Sequence, residues 1–306
     1  MKKIDITYQD SEPSRLDRFL FNKFSLLTNG IANRYLRRGD ILLSGNKATG
    51  STRVNKYDVV TIPCFFQEQY VDTRQLLFTD NDKVLSQKLL HQYLILSNKH
   101  FIAITKPVGL PVQGGSKIKY SVNSAMNYLN SLGNDYKLVH RIDKETSGIL
   151  LIAKHIDSAR ILTKAFKERA IAKKYTAILH GHLKQLEGWI IDGQYQNKFN
   201  QSEIDKYYSI TRFETLTSNT KYSDVNFYPI TGRKHQLRKD ALSIGHPIVG
   251  DKKYPQDQFS HYNHHRLMLH ATEINLPKEL FGKSYKIMSN MPDDFDLIDT
   301  CQYVED

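Results

Sequence analysis

From Tyr93 onward the apolar residues come in short runs, each closed by turn residues, and this texture limits the possible folds more than any other property of the chain. YLILSNKHFIAITKP (93–107) and LVHRIDKETSGILLIAK (138–154) read as strand, turn, strand, and KKYTAILHG (173–181) and DVNFYPI (224–230) as further strands. Between them Ser158–Arg169 has helical spacing, with Ala159, Leu162, Ala165 and Phe166 on one side and Asp157 as the expected N-cap. Strands interspersed with helices predict an α+β domain over 93–306. No apolar run approaches the roughly 20 residues that cross a bilayer; Ile149–Ala153 is a typical one. The N-terminus has no apolar signal core, and Asp5, Asp10 and Glu12 argue against an acid-poor transit peptide. Cys64 and Cys301 belong to no metal or redox motif and fit a reducing compartment. The expectation is a soluble, cytoplasmic protein.

A different pattern precedes this domain. Ser14 with Asp17 matches a capping box, and Leu16, Phe19, Leu20 and Phe24 then follow helical spacing. A second helix is expected from Asn29 to Arg38, stopped by Gly39, with Arg34, Arg37 and Arg38 at i, i+3 and i+4 on one face. Ser44-Gly45-Asn46 reads as a turn between short strands, and Val54–Ile62 as a closing strand. This gives a small αβ module over 1–63 with its core at 14–62. Residues 64–92 show scattered leucines and read as a linker, long for that role, with room for one helical turn or more. The chain carries 43 Lys and Arg against 32 Asp and Glu, a net +11 that favours a polyanionic partner because each cation placed on a phosphate releases counterions.

Several chemistries drop out on motif grounds. GLPVQGGSK (109–117) has Gly115 where a phosphate loop needs lysine. His261, His264 and His265 cluster without an acid or fourth ligand at metal spacing, so no metal site is expected. The informative segment is His140–Gly148. A polar turn between apolar strands can hold a carboxylate fixed yet accessible, and Arg141 and Lys144 beside Asp143 favour its ionised form, suited to a nucleophile or base. Taken alone, a charged turn is usually only a turn. A second cluster, PITGRKHQLR (229–238), sets Arg233, Lys234, His235 and Arg238 behind a Gly turn, where guanidinium groups can grip phosphate or carboxylate.

Together these segments resemble the RluA-type pseudouridine synthases, most closely the large-subunit ribosomal branch with an N-terminal S4 domain (the RluC and RluD types). The resemblance rests on ITKPVGLPVQGGS, LVHRIDKETSGILLIAK, KKYTAILHG, PITGRKHQLR, GHPIVGDKKY and RLMLHA in family order, and, for the S4 module, on RLDRFL, LRRGDI and DVVTI. It implies a mixed, mainly antiparallel sheet with a central cleft, an RNA substrate, in particular large-subunit ribosomal RNA, no cofactor or metal, no membrane partner and a monomer. It further implies catalytic roles for Asp143, for Tyr175 as base-stacking ring and proton-transfer hydroxyl, and for Arg238 as the partner of Asp143. Arg141 falls on the residue that fills the space of a flipped-out uridine. Arg233, Lys234 and His235, with Arg34, Arg37 and Arg38 on the S4-like module, fall to RNA contacts. Lys239-Asp240 departs from the family's hydrophobic residue and histidine, and sets an acid near the basic loop. A non-catalytic ribosome-assembly factor need not keep all three catalytic residues. A glycosidase needs two facing carboxylates, and the acid nearest Asp143 in the chain is Glu145, two residues along.

Overall fold

The computed structural model describes residues 2–24, 27–70, 78–114, 120–255 and 265–295. They form two units, Met1–Leu77 and Phe78–Asp306.

In the first unit β1 (Lys3–Thr7) and β2 (Ser14–Arg15) lead into α1 (Leu16–Lys23) and α2 (Asn29–Arg38). Then come β3 (Leu42–Leu43), β4 (Asn46–Lys47), β5 (Arg53–Val54), β6 (Val59–Pro63) and α3 (Phe66–Gln69). The sheet order is β1-β6-β3-β4, with β2 paired to β5. The turn between β3 and β4 needs positive φ at both central residues, and Ser44 and Gly45 supply 46° and 80°. Helix α2 has the expected bounds, capped by the Thr28 hydroxyl and stopped by Gly39 at φ 77°. The Ser14–Asp17 capping box does not form. Arg15 is the N-cap, and Asp17 instead accepts from the Arg15 guanidinium at 2.6 and 3.1 Å. Leu16, Leu20, Phe24, Leu36, Val60, Ile62 and Phe66 make the core, each such side chain contributing about 1.5–3 kcal/mol.

The second unit starts with α4 (Asp80–Leu90), β7 (Leu94–Ser97), β8 (Phe101–Lys106), α5 (Val122–Ser131), β9 (Lys137–Leu138), β10 (Ser147–Ala153) and α6 (Ile156–Lys167). It continues through β11 (Ala172–His180), β12 (Glu187–Ile191), β13 (Gln194–Gln196), β14 (Ile210–Ser218), β15 (Tyr222–Pro229) and α7 (Gln236–Ser243). It ends with β16 (Leu269–Leu276), α8 (Lys278–Phe281) and β17 (Tyr285–Met288). Eleven strands form one sheet, in the order β13-β12-β14-β15-β11-β16-β10-β8-β7, with β17 on β16 and β9 on β10. Of its pairings only β10 with β16 is parallel, so the expected mixed, mainly antiparallel sheet is present. Strand β10 is apolar without alternation because both faces are covered. Leu150 and Ile152 pack with α4 and α5, while Ile149, Leu151 and Ala153 pack with α6.

On either side of residues 71–77, which lie outside the described residues, the span read as a linker adds side chains to both cores. Phe66 in α3 is fully buried in the first unit against Phe24, Tyr35 and Tyr70, whereas Leu85 and Leu89 of α4 enter the second unit's core. Leu85 and Leu89 stand at i and i+4, and a Thr79–Asp82 capping box starts their helix. Helix α6 begins two residues earlier than expected because the His155 side chain, not Asp157, caps it by accepting from the Ser158 amide.

Candidate active site

Asp143 sits in the loop between β9 and β10, which three contacts hold. The Thr146 amide donates to the Asp143 carbonyl at 3.2 Å, and the Gly109 amide to the Lys144 carbonyl at 2.9 Å. Beneath them the fully buried Lys106 ammonium donates to the carbonyls of Pro107, Leu110 and Lys144 at 2.8, 2.8 and 3.1 Å. Burial lowers the Lys106 pKa to about 7, against the opposing pull of Glu145 and Asp143. Ile142 anchors the loop in the core, so the neighbouring Asp143 side chain stays 22% exposed. Gly148 lets β10 approach β16: its φ is 107°, and a Cβ there would lie 2.3 Å from the Ala271 carbonyl oxygen.

Tyr175 lies on β11, opposite Phe227 of β15 and Ala271 of β16, with a register shift between Lys174 and Tyr175. Its ring packs against the cores on both sides of the site. Burial, and secondly the Asp143 charge, raises its pKa well above the usual tyrosine range, so the hydroxyl stays protonated. Two residues earlier Lys173 lines the same space, and burial lowers its pKa to about 8.

Arg238 corrects the expected pairing. Its guanidinium is bidentate to Asp251, at 2.7 Å from Nε and 2.5 Å from Nη2, with the side chains only 6% and 1% exposed. Asp251 is held in turn by the Lys253 and Tyr254 amides, and the Arg238 guanidinium lies 5.2 Å from the Tyr254 ring centroid. Asp143 contributes to the Arg238 environment only through its charge. The basic side chain within reach of Asp143 is His235, whose Nε2 lies 3.8 Å from the carboxylate. His235 is the N-cap of α7 at φ 55°, and its Nδ1 is 2.9 Å from the Tyr254 hydroxyl. Burial lowers the His235 pKa against the pull of Asp143, with Arg238, Lys253 and Lys234 lowering it further, all of which favours the neutral ring.

These groups converge on a cavity of about 100 Å³ lined by Arg141, Asp143, Lys173, Tyr175, Arg233, His235 and Arg238. Lys234 is absent from that lining and borders a separate hollow with Lys239. Arg233 donates to the Tyr208 carbonyl at 2.7 Å and lies 4.4 Å from the Tyr208 ring centroid. Arg34, Arg37 and Arg38 belong to the first unit and are exposed; Arg38 is paired with Asp40 at 3.0 Å. Asp240 borders the same hollow as Arg233, Lys234 and Lys239, so the acid does stand near the basic loop. It is buried and accepts from the Thr211 hydroxyl at 2.6 Å, and burial raises its pKa to about 7. His265 is exposed, His261 and His264 lie outside the described residues, and no group of three or more possible metal ligands occurs among the described residues. Lys106, Lys173, Asp251 and Tyr254 escaped the sequence reading. The signal for the last two was GHPIVGDKKY, an acid and a tyrosine after a Gly turn.

A carboxylate among cations, beside a half-buried phenol and on a large mixed sheet, is an arrangement suited to acid–base or nucleophilic chemistry on an anionic substrate. Residues 100–243 match the family model described as RNA pseudouridylate synthase. The chain is 40% identical over 304 residues to "Ribosomal large subunit pseudouridine synthase C" of Rickettsia bellii (strain RML369-C), covering 96% of this chain and 99% of that one. It is 40% identical over 287 residues to the protein of the same name from Rickettsia prowazekii (strain Madrid E), covering 92% and 94%. Among solved structures it is similar to human RNA pseudouridylate synthase domain containing 4, with TM-score 0.56 and 25% identity over 71% of this chain and 94% of that one. The chain belongs to the RNA pseudouridylate synthase family, enzymes that isomerise uridine in RNA to pseudouridine. No helix among the described residues is long and apolar enough to cross a membrane.

Proposed function

We propose that this enzyme converts uridines of large-subunit ribosomal RNA to pseudouridine, with Asp143, Tyr175 and Arg238 as its catalytic residues and no cofactor. The observation that carries the reading is the convergence of Asp143, Tyr175 and Arg238 on one cavity. The names of the Rickettsia relatives support the ribosomal substrate.

In this mechanism the bond between N1 and C1′ of a flipped-out uridine breaks, the uracil turns, and C5 bonds to C1′. C5 loses one proton and N1 gains one, so the RNA mass is unchanged. The Asp143 carboxylate meets the positive charge that develops at the ribose. Tyr175 stacks on the uracil, and its hydroxyl, held protonated, donates to the base rather than removing the C5 proton. Arg238, fixed by Asp251, keeps cationic charge beside Asp143. Arg141, exposed at the rim, fills the gap left in the RNA stack. Arg233, Lys234 and His235 hold RNA near the pocket, within the cleft that the sheet carries. The first unit acts as an S4-like RNA-binding module through the exposed face of Arg34, Arg37 and Arg38. The enzyme works in the cytoplasm as a monomer.

The test is Asp143→Asn on ribosomal RNA labelled with tritium at uridine C5. Tritium release is expected to vanish while RNA binding persists. Turnover at the wild-type rate, or loss of a base detected by mass spectrometry, would overturn the assignment.

A further inference from the structure

Beside the Asp143 cavity lies a second one of about 450 Å³, with Arg141, Lys173, Tyr175 and Arg233 in both linings. Phe166, Lys167 and Arg169 border it from the end of α6, and no acidic residue lines it. Arg169 is engaged elsewhere, with Asp205 at 3.1 Å. Lys173 is not engaged. Its side chain is half-buried on β11, and among the described residues its ammonium makes no hydrogen bond and no ion pair. A partly desolvated cation without a counter-charge carries a cost that an anion would relieve. The site also offers a planar surface: Phe166 is stacked on the His140 ring at a centroid distance of 4.4 Å and 23°. His140 adds no charge, since burial lowers its pKa to about 3 and its Nε2 accepts from the Leu151 amide.

We propose that this second cavity is a subsite for the nucleotide adjoining the target uridine, with Lys173 as the anchor of its backbone phosphate and Phe166 as the wall for its base. The assignment rests on the RNA-modifying reading of the neighbouring pocket. Its volume exceeds the needs of a bare phosphate. Lys173 spans both cavities and so couples correct seating of the neighbour to the position of the uridine beside Tyr175.

The test compares wild type, Lys173→Met, Lys173→Arg and Lys167→Ala on ribosomal RNA transcripts across a salt series. Folding is checked by circular dichroism. Lys173→Met is expected to raise KM about tenfold, the effect of losing one charge-assisted hydrogen bond. It should also flatten the dependence of log affinity on log salt by about one unit. Lys173→Arg restores the slope, and Lys167→Ala, at the exposed rim, reduces it. A Lys173→Met enzyme with wild-type KM and slope, while pseudouridine still forms, overturns the subsite and leaves the family reading intact. A fall in kcat or stability with an unchanged slope assigns Lys173 a packing role and equally overturns the proposal. In a second arm RNA is expected to shield Lys173 from amine acylation, read by peptide mass spectrometry. Equal shielding by inorganic phosphate alone would mean a free-anion site and refute the nucleotide assignment.

Discussion

Asp251→Ala is expected to cost about 3–5 kcal/mol of folding stability, the range for breaking one partner out of a buried ion pair. The structure shows why the loss is large. Asp251 oxygens accept four hydrogen bonds: from Arg238 Nε and Nη2 at 2.7 and 2.5 Å, and from the Lys253 and Tyr254 amides at 2.9 and 3.0 Å. Alanine strands all four donors, each worth about 1–3 kcal/mol when left unsatisfied and buried. Water entering the space of the lost carboxyl recovers part of that sum. Arg238→Met in the wild-type background leaves Asp251 its two amide donors and so costs less. In the double variant neither charge remains to be orphaned, and the two losses should fall short of additivity by about 1–3 kcal/mol. The assay is urea unfolding of the two single variants and the double one, with the midpoint shift confined to the transition of the second unit and its slope unchanged. Activity should fall with Asp251→Ala even where the protein remains folded, because Arg238 loses its fixed position. A loss below about 1 kcal/mol, or strict additivity in the cycle, would refute the view that this pair is a tightly coupled, water-excluded unit.

Two further outcomes follow from groups around the same site. Asp240, raised to about 7 by burial, binds a proton in the folded chain over a range where the unfolded chain has already released it. Stability from this group is therefore lost as pH rises from about 4 through about 7, so Asp240→Asn should match wild type near pH 4 and exceed it above pH 7 by up to about 4 kcal/mol; thermal unfolding curves that stay parallel at all pH values would contradict this. Gly148→Ala drives a Cβ to 2.3 Å from the Ala271 carbonyl at a φ alanine rarely adopts, and should destabilise the second unit by more than about 2 kcal/mol in the same urea assay; a neutral effect would show that β10 can retreat from β16.

The parts legible in the sequence were those whose cause is local. The strand texture after Tyr93, the α2 helix with its Gly39 stop, and the His140–Gly148 loop all follow from neighbours in the chain. The bounds of helix α4 were not legible because Leu85 and Leu89 alone make a narrow stripe, although Thr79 and Asp82 already marked its start. Asp251 was invisible as a partner because it meets Arg238 only after α7 and the following turns bring the chain back. Lys106 and Lys173 run against the ordinary preference of lysine for solvent, and only tertiary packing shows them desolvated. The three residues that the motifs single out, Asp143, Tyr175 and Arg238, all line one cavity. The resemblance misassigned the carboxylate that Arg238 grips.

The position of β16 has a consequence for synthesis of the chain. This strand stands between β11 and β10, with Ala271 opposite both Tyr175 and Gly148, yet it is among the last strands to be made. Before it emerges from the ribosome, β7, β8 and β10 can form one partial sheet and β11 to β15 another, each with an open edge where β16 belongs. Open edges recruit foreign strands. A chain stalled or truncated before residue 269 would thus hold the Asp143 and Tyr175 segments on unjoined halves, inactive and prone to aggregate. The insertion of eight residues, Leu269–Leu276, is what joins the two halves of the sheet.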